Sequence, residues 1–158
     1  MAGKLLRLLE MPDKVLVSTV QFHFQHGGLA LRNRNKLRAF IVSIFKKEKT
    51  PLASVSYIFC SDKYLLEINR KFLQHNFYTD IITFNLAESK KAPVEGEIYI
   101  SLNRVRDNAN TLNQYLNTEF HRVIFHGVLH LCGYGDKTRD EISVMRKKEA
   151  YYLKTYFK

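Results

Sequence analysis

Two histidines and an aspartate near the C-terminal end of the chain have the spacing of metal ligands. His126 and His130 are four residues apart, and on an α-helix this spacing places both imidazoles on one face. Gly133 can end such a helix, because glycine accepts the left-handed conformation that follows a last helical residue, and Asp136 can then return toward the imidazoles. Two neutral nitrogens and one carboxylate, with a fourth position left to water, are the usual makeup of a catalytic zinc site. An isolated histidine pair at this spacing is more often a structural accident, but the glycine and the carboxylate favour a metal site.

A metal ion bound there would make the site hydrolytic. Zinc lowers the pKa of a bound water toward neutrality, and the resulting hydroxide can attack a phosphodiester or a peptide carbonyl. Zinc peptidases with an HExxH motif carry a glutamate directly after the first histidine as the general base, whereas this chain has Gly127 there. We therefore expect metal-bound water to be the nucleophile, identify no protein base, and favour phosphodiester cleavage over peptidase chemistry.

Residues 126–136, HGVLHLCGYGD, resemble the signature of the YbeY family, which reads roughly HGxLHLxGYDH. Members of that family are bacterial metal-dependent endoribonucleases that mature ribosomal RNA. The last histidine of the signature is the family's third metal ligand, and Asp136 stands at its position. Because aspartate can also ligate zinc, the resemblance implies one Zn²⁺ per chain, held by His126, His130 and Asp136 at a site with one more negative charge.

A second segment, residues 68–84 with the sequence INRKFLQHNFYTDIITF, also resembles the family. Five positions match its pattern of an asparagine, an aromatic residue and a threonine–aspartate pair leading into a strand: Asn69, Phe72, Thr79, Asp80 and Phe84. The resemblance implies an arginine in contact with the RNA phosphate at the position where this chain has Leu73. Arg70 or Lys71 could take its place, or both could be ordinary surface residues. His75 could face the cleft, or be a loop histidine without a function.

The resemblance covers roughly residues 18–155 and implies a role in ribosome maturation. The expected activity is that of a zinc-dependent, single-strand-specific endoribonuclease that processes the 3′ end of the small-subunit ribosomal RNA and serves ribosome quality control. The expected partners are ribosomal RNA and the small ribosomal subunit, without DNA or a membrane. Because Leu73 replaces the family arginine, a second interpretation stays open: a non-catalytic RNA-binding ribosome-assembly factor with a structural metal.

Positive charge is concentrated at the two ends of the chain. The net charge is +10, of which residues 1–50 carry +7 and residues 137–158 carry +4, while residues 51–136 carry −1. The basic ends therefore flank a nearly neutral centre that contains the proposed metal site. Such a distribution suits an anionic polymer lying across the protein, although lysines that only keep the surface soluble would give the same count.

The predicted helices and strands that position the candidate site residues indicate one α+β domain. We expect a small, mostly four-stranded sheet covered by about five helices, with the metal site at the end of a C-terminal helix. Period-two segments predict strands, and apolar stripes with capping signals predict helices. The predicted strands are residues 19–25, 54–60, 80–85 and 96–101; the predicted helices are residues 35–47, one capped by Ser61, one around 102–112, residues 118–132, and one that starts at the capping box Thr138–Glu141.

Apolar side chains on two of these helices are expected to face the core. The stripes are Leu65, Ile68 and Phe72 on the helix capped by Ser61, and Ile142, Met145 and Tyr152 on the last helix. Residues 1–17 show no clear periodicity, so we expect them to form an N-terminal extension outside the core. A YbeY-like metallohydrolase domain would then span residues 18–158.

The hydrophobic pattern and the cysteine content of the sequence bear on the cellular compartment in which we expect the protein to act. No apolar run approaches the length of a membrane span, and the charged N-terminus does not read as a signal peptide. The two cysteines, Cys60 and Cys132, are interpreted as buried apolar thiols and not as ligands. A reducing cytoplasm is the simplest setting for such a chain.

Overall fold

The computed structural model describes Val15, Val17, residues 19–25, Gly27 and residues 29–158, and these form a four-stranded sheet and five helices. In chain order the elements are β1 (Val20–Phe24), α1 (Arg34–Lys47), β2 (Leu52–Cys60), α2 (Asp62–Leu73), β3 (Ile81–Asn85), β4 (Val94–Ser101), α3 (Leu102–Thr111), α4 (Leu116–Leu131) and α5 (Arg139–Tyr156). The predicted α+β class and four strands are confirmed, and the element bounds lie within a few residues of those predicted.

The sheet is mixed, with the strand order β1-β2-β4-β3. Strands β1, β2 and β4 are parallel, so the chain must cross over between them, and helices α1 and α2 make these crossovers. Strand β3 is the antiparallel edge strand, with Ile82 opposite Tyr99. Gly96 of β4 lies between the two neighbouring strands, paired with Asn85 of β3 on one side and with Val55 of β2 on the other.

The main core lies on one face of the sheet, under helices α1, α3, α4 and α5. Helix α4 is at its centre and is buried on most of its circumference, as expected of a helix that is apolar nearly all round. Its fully buried residues include Phe120, Ile124, Phe125, Val128 and Leu129. The buried hydroxyl of Tyr57 on β2 also donates to the Ile124 carbonyl at 3.1 Å. Helix α4 is therefore a fixed support for any group on its exposed side.

Helix α2 covers the other face of the sheet, and here the sequence prediction was partly wrong. Leu65 is buried beside Ile82 and Cys60, but the Phe72 side chain is 57% exposed. Its ring meets Phe84 edge-on at 6.0 Å. Because Phe84 is on the edge strand β3, no further strand of the described sheet lies beyond it to cover the Phe72 ring.

The N-terminal end of the described chain gives a second correction. Thr19 was predicted to begin the first strand, but its backbone is helical and its hydroxyl donates to the Val15 carbonyl at 2.8 Å. The prediction for residues 1–17 lies outside the described residues, apart from Val15 and Val17, whose side chains are exposed. No helix in the described part of the chain combines the length and the apolar character that crossing a bilayer requires.

Candidate metal centre

The structure brings His126, His130 and Asp136 together. Both histidines are on α4, with perpendicular rings whose centroids lie 4.4 Å apart. The Nε2 atoms of His126 and His130 lie 3.4 Å and 3.2 Å from the same Asp136 oxygen, Oδ2. The three ligand atoms lie within 4.8 Å of one another, so a single ion could contact all of them.

The far side of each imidazole is held by a hydrogen-bond acceptor. The Nδ1 atom of His126 lies 2.6 Å from Oε1 of Glu149, and the Nδ1 atom of His130 lies 2.9 Å from the carbonyl oxygen of Tyr134. Since both partners are acceptors, each imidazole can donate from Nδ1, which leaves Nε2 on the Asp136 side available to ligate a metal. This is the arrangement that metal-binding histidines usually have. The donor set therefore fits a divalent metal such as zinc.

Glu149 is itself part of a buried ionic network. Arg122 lies between Glu119, whose Oε1 is 2.6 Å from Nη2, and Glu149, whose Oε2 is 3.2 Å from Nη1. Burial alone would raise the pKa of the Glu149 carboxyl, but the hydrogen bond with His126 and the charge of Arg122 outweigh it and hold that pKa below its ordinary value. Glu149 thus stays ionised and remains an acceptor for His126.

This network was missed by the sequence analysis. Neither Glu119 nor Glu149 is among the site residues that the sequence predicts. The spacing of Glu119, Arg122 and His126 places all three on one face of α4, which is a usable signal. Glu149, however, is on another helix, 23 residues after His126, and no local spacing indicates that contact.

The loop between α4 and α5 carries Asp136 and is fixed at both ends. Gly133 has a φ of 98°, and the amides of Gly133 and Tyr134 close the helix by donating to the carbonyls of His130 and Leu129. At the other end Thr138 and Glu141 form the predicted capping box. The glycine stop and the capping box are therefore both confirmed, and together they limit where Asp136 can lie.

Glu48, directly after α1, anchors the same loop. Its carboxylate accepts from the Tyr134 hydroxyl at 2.6 Å, from Lys148 Nζ at 2.9 Å, and from the Tyr152 hydroxyl. Burial would raise the Glu48 pKa, but these three donors lower it below its ordinary value. Because the Tyr134 carbonyl holds His130, Glu48 acts on the metal centre through Tyr134.

Gly127 follows His126 and faces the sheet. A Cβ atom at this position would lie 2.9 Å from Cγ2 of Ile98 and 3.0 Å from Cδ1 of Ile81. A larger side chain would therefore point into the core and away from Asp136. The position that holds the catalytic glutamate of an HExxH peptidase cannot hold a general base in this fold.

A pocket of about 220 Å³ opens beside the ligands. Its walls are Arg122, His126, Asp136, Ile142, Met145, Arg146 and Glu149. Met145 is buried as predicted, but Ile142 is 41% exposed, which corrects the prediction that it faces the core: the first turns of α5 form the rim of this pocket. A larger depression of about 510 Å³, between α2 and α3, contains none of the three candidate ligands.

The proposed RNA contacts lie outside that pocket. Arg70, Lys71 and His75 are all exposed at the end of α2 and in the loop after it. Arg70 donates to the Asn76 side chain at 2.5 Å, and the Lys71 ammonium lies 5.3 Å from the centre of the Phe72 ring. Leu73, where the family has arginine, is 39% exposed.

Neither cysteine belongs to the group around Asp136. Cys60 is buried and Cys132 is partly buried. Burial raises the pKa of the Cys60 thiol to about 12 and that of the Cys132 thiol to about 11. Both therefore remain protonated thiols; the predicted burial is confirmed for Cys60, whereas Cys132 is only partly buried.

Comparison with known proteins gives consistent matches. The family described as Endoribonuclease YbeY matches residues 22–157. Endoribonuclease YbeY of Cytophaga hutchinsonii is 48% identical over 131 residues, 83% of this chain and 91% of that protein. Endoribonuclease YbeY of Amoebophilus asiaticus is 46% identical over 123 residues, 78% of this chain and 83% of that protein. A solution structure of a Thermotoga maritima protein aligns with a TM-score of 0.61 at 28% identity, covering 87% of this chain and 89% of that one.

Proposed function

Because this chain belongs to the YbeY endoribonuclease family, we propose that it cleaves single-stranded ribosomal RNA by means of a zinc ion held by His126, His130 and Asp136. The family makes the chain an endoribonuclease, an enzyme that hydrolyses internal phosphodiester bonds of RNA. The metal, its ligands and the ribosomal substrate are the parts that we add.

One observation carries the metal proposal: both Nε2 atoms and one Asp136 oxygen face a common point, while both Nδ1 atoms are engaged by acceptors. Two surface histidines without a metal-binding role would not need this common orientation. When bound, a zinc ion supplies Lewis acidity toward a phosphoryl oxygen and acidifies water. Asp136 in place of the family histidine adds one negative charge to the centre.

The protein groups around the centre have separate roles. Glu149 and the Tyr134 carbonyl orient the imidazoles, and Arg122 holds Glu149 in place. Arg122 is shared among three carboxylates, those of Glu119, Glu149 and Asp80, so it has little charge to offer an RNA phosphate. Arg146, exposed on the pocket rim, is better placed to attract one.

For the substrate we propose the 3′ end of the small-subunit ribosomal RNA, with a further role in ribosome quality control in the cytoplasm. The resemblance of residues 68–84 and 126–136 to the family supports the substrate, and the net charge of +10 supports an anionic polymer. We assign this function to residues 18–158, within which the family match of residues 22–157 falls.

A second candidate function is a ribosome-assembly factor that binds RNA around a structural metal. Leu73, which replaces the family arginine, favours it. Against it, structural zinc sites are normally closed by four protein ligands, whereas the group found among the described residues has three. An open position is the mark of a catalytic site, so we place the enzyme first.

A cleavage assay separates the two functions. The protein is incubated with an unstructured oligoribonucleotide and with its duplex, with and without a chelator, and the products are sized. We expect cleavage of the single strand only, loss of cleavage with chelator, and recovery on adding Zn²⁺. If the protein binds the RNA but does not cleave it in the presence of any divalent metal, the result would instead establish the assembly factor.

A further inference from the structure

Exposed aromatic side chains are concentrated at the end of α2 and in the loop that follows it. Phe72, Phe77 and Tyr78 are each more than half exposed, and the exposed His75 ring stacks on Phe77 with centroids 5.1 Å apart and planes 23° apart. We call these four residues the aromatic surface. Exposed apolar side chains concentrated in one short segment mark interaction sites.

The loop that presents these rings is held in one conformation. Buried Asn69 donates from Nδ2 to the Phe77 carbonyl at 2.9 Å, and its own carbonyl accepts from the His75 amide at 3.2 Å. The Arg70 side chain binds Asn76 in the same loop. The rings are therefore placed before any partner arrives, which reduces the entropy lost on binding.

Cations are interleaved with the rings. Residues 70–78 contain Arg70 and Lys71 and no acidic residue. Lys71 lies 5.3 Å from the Phe72 ring centre, and the Arg104 guanidinium, which is also paired with Asp62, lies 5.0 Å from the Tyr78 ring centre, both within the range of cation–π contact. The surface thus offers flat apolar faces beside positive charge, a combination that matches nucleobases joined by phosphates.

The aromatic surface leads to the metal pocket. Asp80 comes two residues after Tyr78, and its Oδ2 lies 3.9 Å from Nη2 of Arg122, which lines the pocket beside His126. The next residue, Ile81, lies against the Gly127 position. A strand bound on the rings would therefore be adjacent to the candidate ligands.

We propose that the aromatic surface is a base-stacking site for single-stranded RNA, which holds unpaired bases beside the metal centre. This proposal rests on the proposed function, because the bound RNA is the same substrate. Unpaired bases have free faces that can stack on side chains, whereas bases inside a duplex do not. The surface would thus select single strands, and stacking would supply affinity beside the candidate metal centre.

The test uses variants of one ring in the full-length protein. Phe77→Ala and Phe77→Leu remove the ring, the second while keeping apolar bulk, and Phe77→Trp restores an aromatic face. Tyr115→Ala is the matched control, because Tyr115 is 86% exposed and precedes α4. The probe is a single-stranded oligoribonucleotide of about ten nucleotides containing 2-aminopurine, whose fluorescence falls when it stacks, together with its duplex.

We expect Phe77→Ala and Phe77→Leu each to weaken single-strand binding about tenfold and to reduce the quenching of the probe. Phe77→Trp should recover both, while Tyr115→Ala should match the wild type. Wild-type affinity and quenching in Phe77→Leu would overturn the proposal and leave the surface to a protein partner. A loss of single-strand binding in Tyr115→Ala as large as that in Phe77→Ala would overturn it as well. All variants should retain their metal. A wild type that quenches the probe but never cleaves RNA would overturn the proposed catalysis while supporting this binding site.

Discussion

At the scale of single residues, the two histidines of the metal centre are oriented by different kinds of group. A peptide carbonyl holds His130, whereas a buried, charged carboxylate holds His126. A carboxylate partner makes an imidazole a stronger donor toward a metal than a neutral acceptor does. Glu149 should therefore set much of the metal affinity although it touches no metal.

Glu149→Gln tests that role, because it keeps the shape of the side chain and removes its charge. We expect metal affinity to fall by about 10- to 100-fold, measured by competition with a chromogenic chelator. Glu67→Gln, a charge change at an exposed position of α2, should leave the affinity unchanged. Equal affinities for Glu149→Gln and wild type would show that the contact does not tune the site.

Gly127→Ala tests the close approach of α4 to the sheet. Alanine is the better helix former by about 1 kcal/mol, but its Cβ would press on Ile98 and Ile81, and overpacking a core usually costs about 1–3 kcal/mol. We expect net destabilisation in urea unfolding. Ser143→Ala on the exposed face of α5 gains propensity without a clash and should not destabilise. A Gly127→Ala protein more stable than wild type would contradict the packing described.

The residues found from the sequence and those missed differ in one physical respect. His126, His130, Gly133 and Asp136 lie within one helix end and its loop, so local spacing was enough to bring them together. The contact of Glu149 with His126 crosses between two helices, and its register depends on how α5 packs against α4. A single sequence does not contain that information in any local pattern.

At the scale of elements, the loop after α4 is held by three helices at once. Its peptide groups close α4, its far end is the cap of α5, and Tyr134 reaches Glu48 at the end of α1. Such a loop is unlike a mobile surface connection, because the amides of Gly133, Tyr134, Lys137 and Thr138 all donate hydrogen bonds within it. The candidate metal site is therefore pre-formed.

Glu48→Gln tests the anchor through its pH dependence. A carboxyl whose pKa is lowered in the folded state stabilises the fold above its ordinary pKa of 4.5, and this contribution is lost as the pH falls through the folded-state value. We expect Glu48→Gln to be less stable than wild type near neutral pH, with the difference shrinking in acid. Unfolding of both proteins at a series of pH values from neutral into acid measures this stability difference, with Glu67→Gln as the control. A difference that does not depend on pH would rule out the ionised anchor.

Element prediction succeeded where the signal was local and failed where it depended on neighbours. The capping box at Thr138 and the Ser61 cap were both found because side chain and backbone partner are three residues apart. The exposure of Phe72 was not predictable, since its position in the stripe of α2 is that of a core residue. Whether the ring is covered depends on β3 being an edge strand, which follows from the pairing of β4 with β2, a strand more than 30 residues earlier in the chain, on its other side.

At the scale of the whole molecule, the basic C-terminal segment is part of the site's surroundings. Residues 137–158 carry a net charge of +4, and they form α5, which lines the pocket through Arg146. Arg122 contacts Glu149 of α5 through Nη1 and Asp80, two residues after the aromatic surface, through Nη2. An RNA strand crossing the ligands would thus contact stacking rings on one side and positive charge on the other.

Affinity for single-stranded RNA should therefore fall steeply with salt. We expect a log–log slope that corresponds to about four or more released counterions, each contributing about 0.7 for single strands. Arg146→Gln should lower that count by about one phosphate contact. A flat salt dependence would mean that the charge serves only solubility.

The central claim is that His126, His130 and Asp136 hold one metal ion. Elemental analysis of the purified wild type, His126→Ala, His130→Ala and Asp136→His tests it most directly, with His23→Ala on the exposed face of β1 as the control. We predict one zinc per chain in the wild type, the control and Asp136→His, which restores the family ligand, and none in the two alanine variants at His126 and His130, because two ligands hold zinc weakly. One metal per chain in both of those alanine variants would contradict the account.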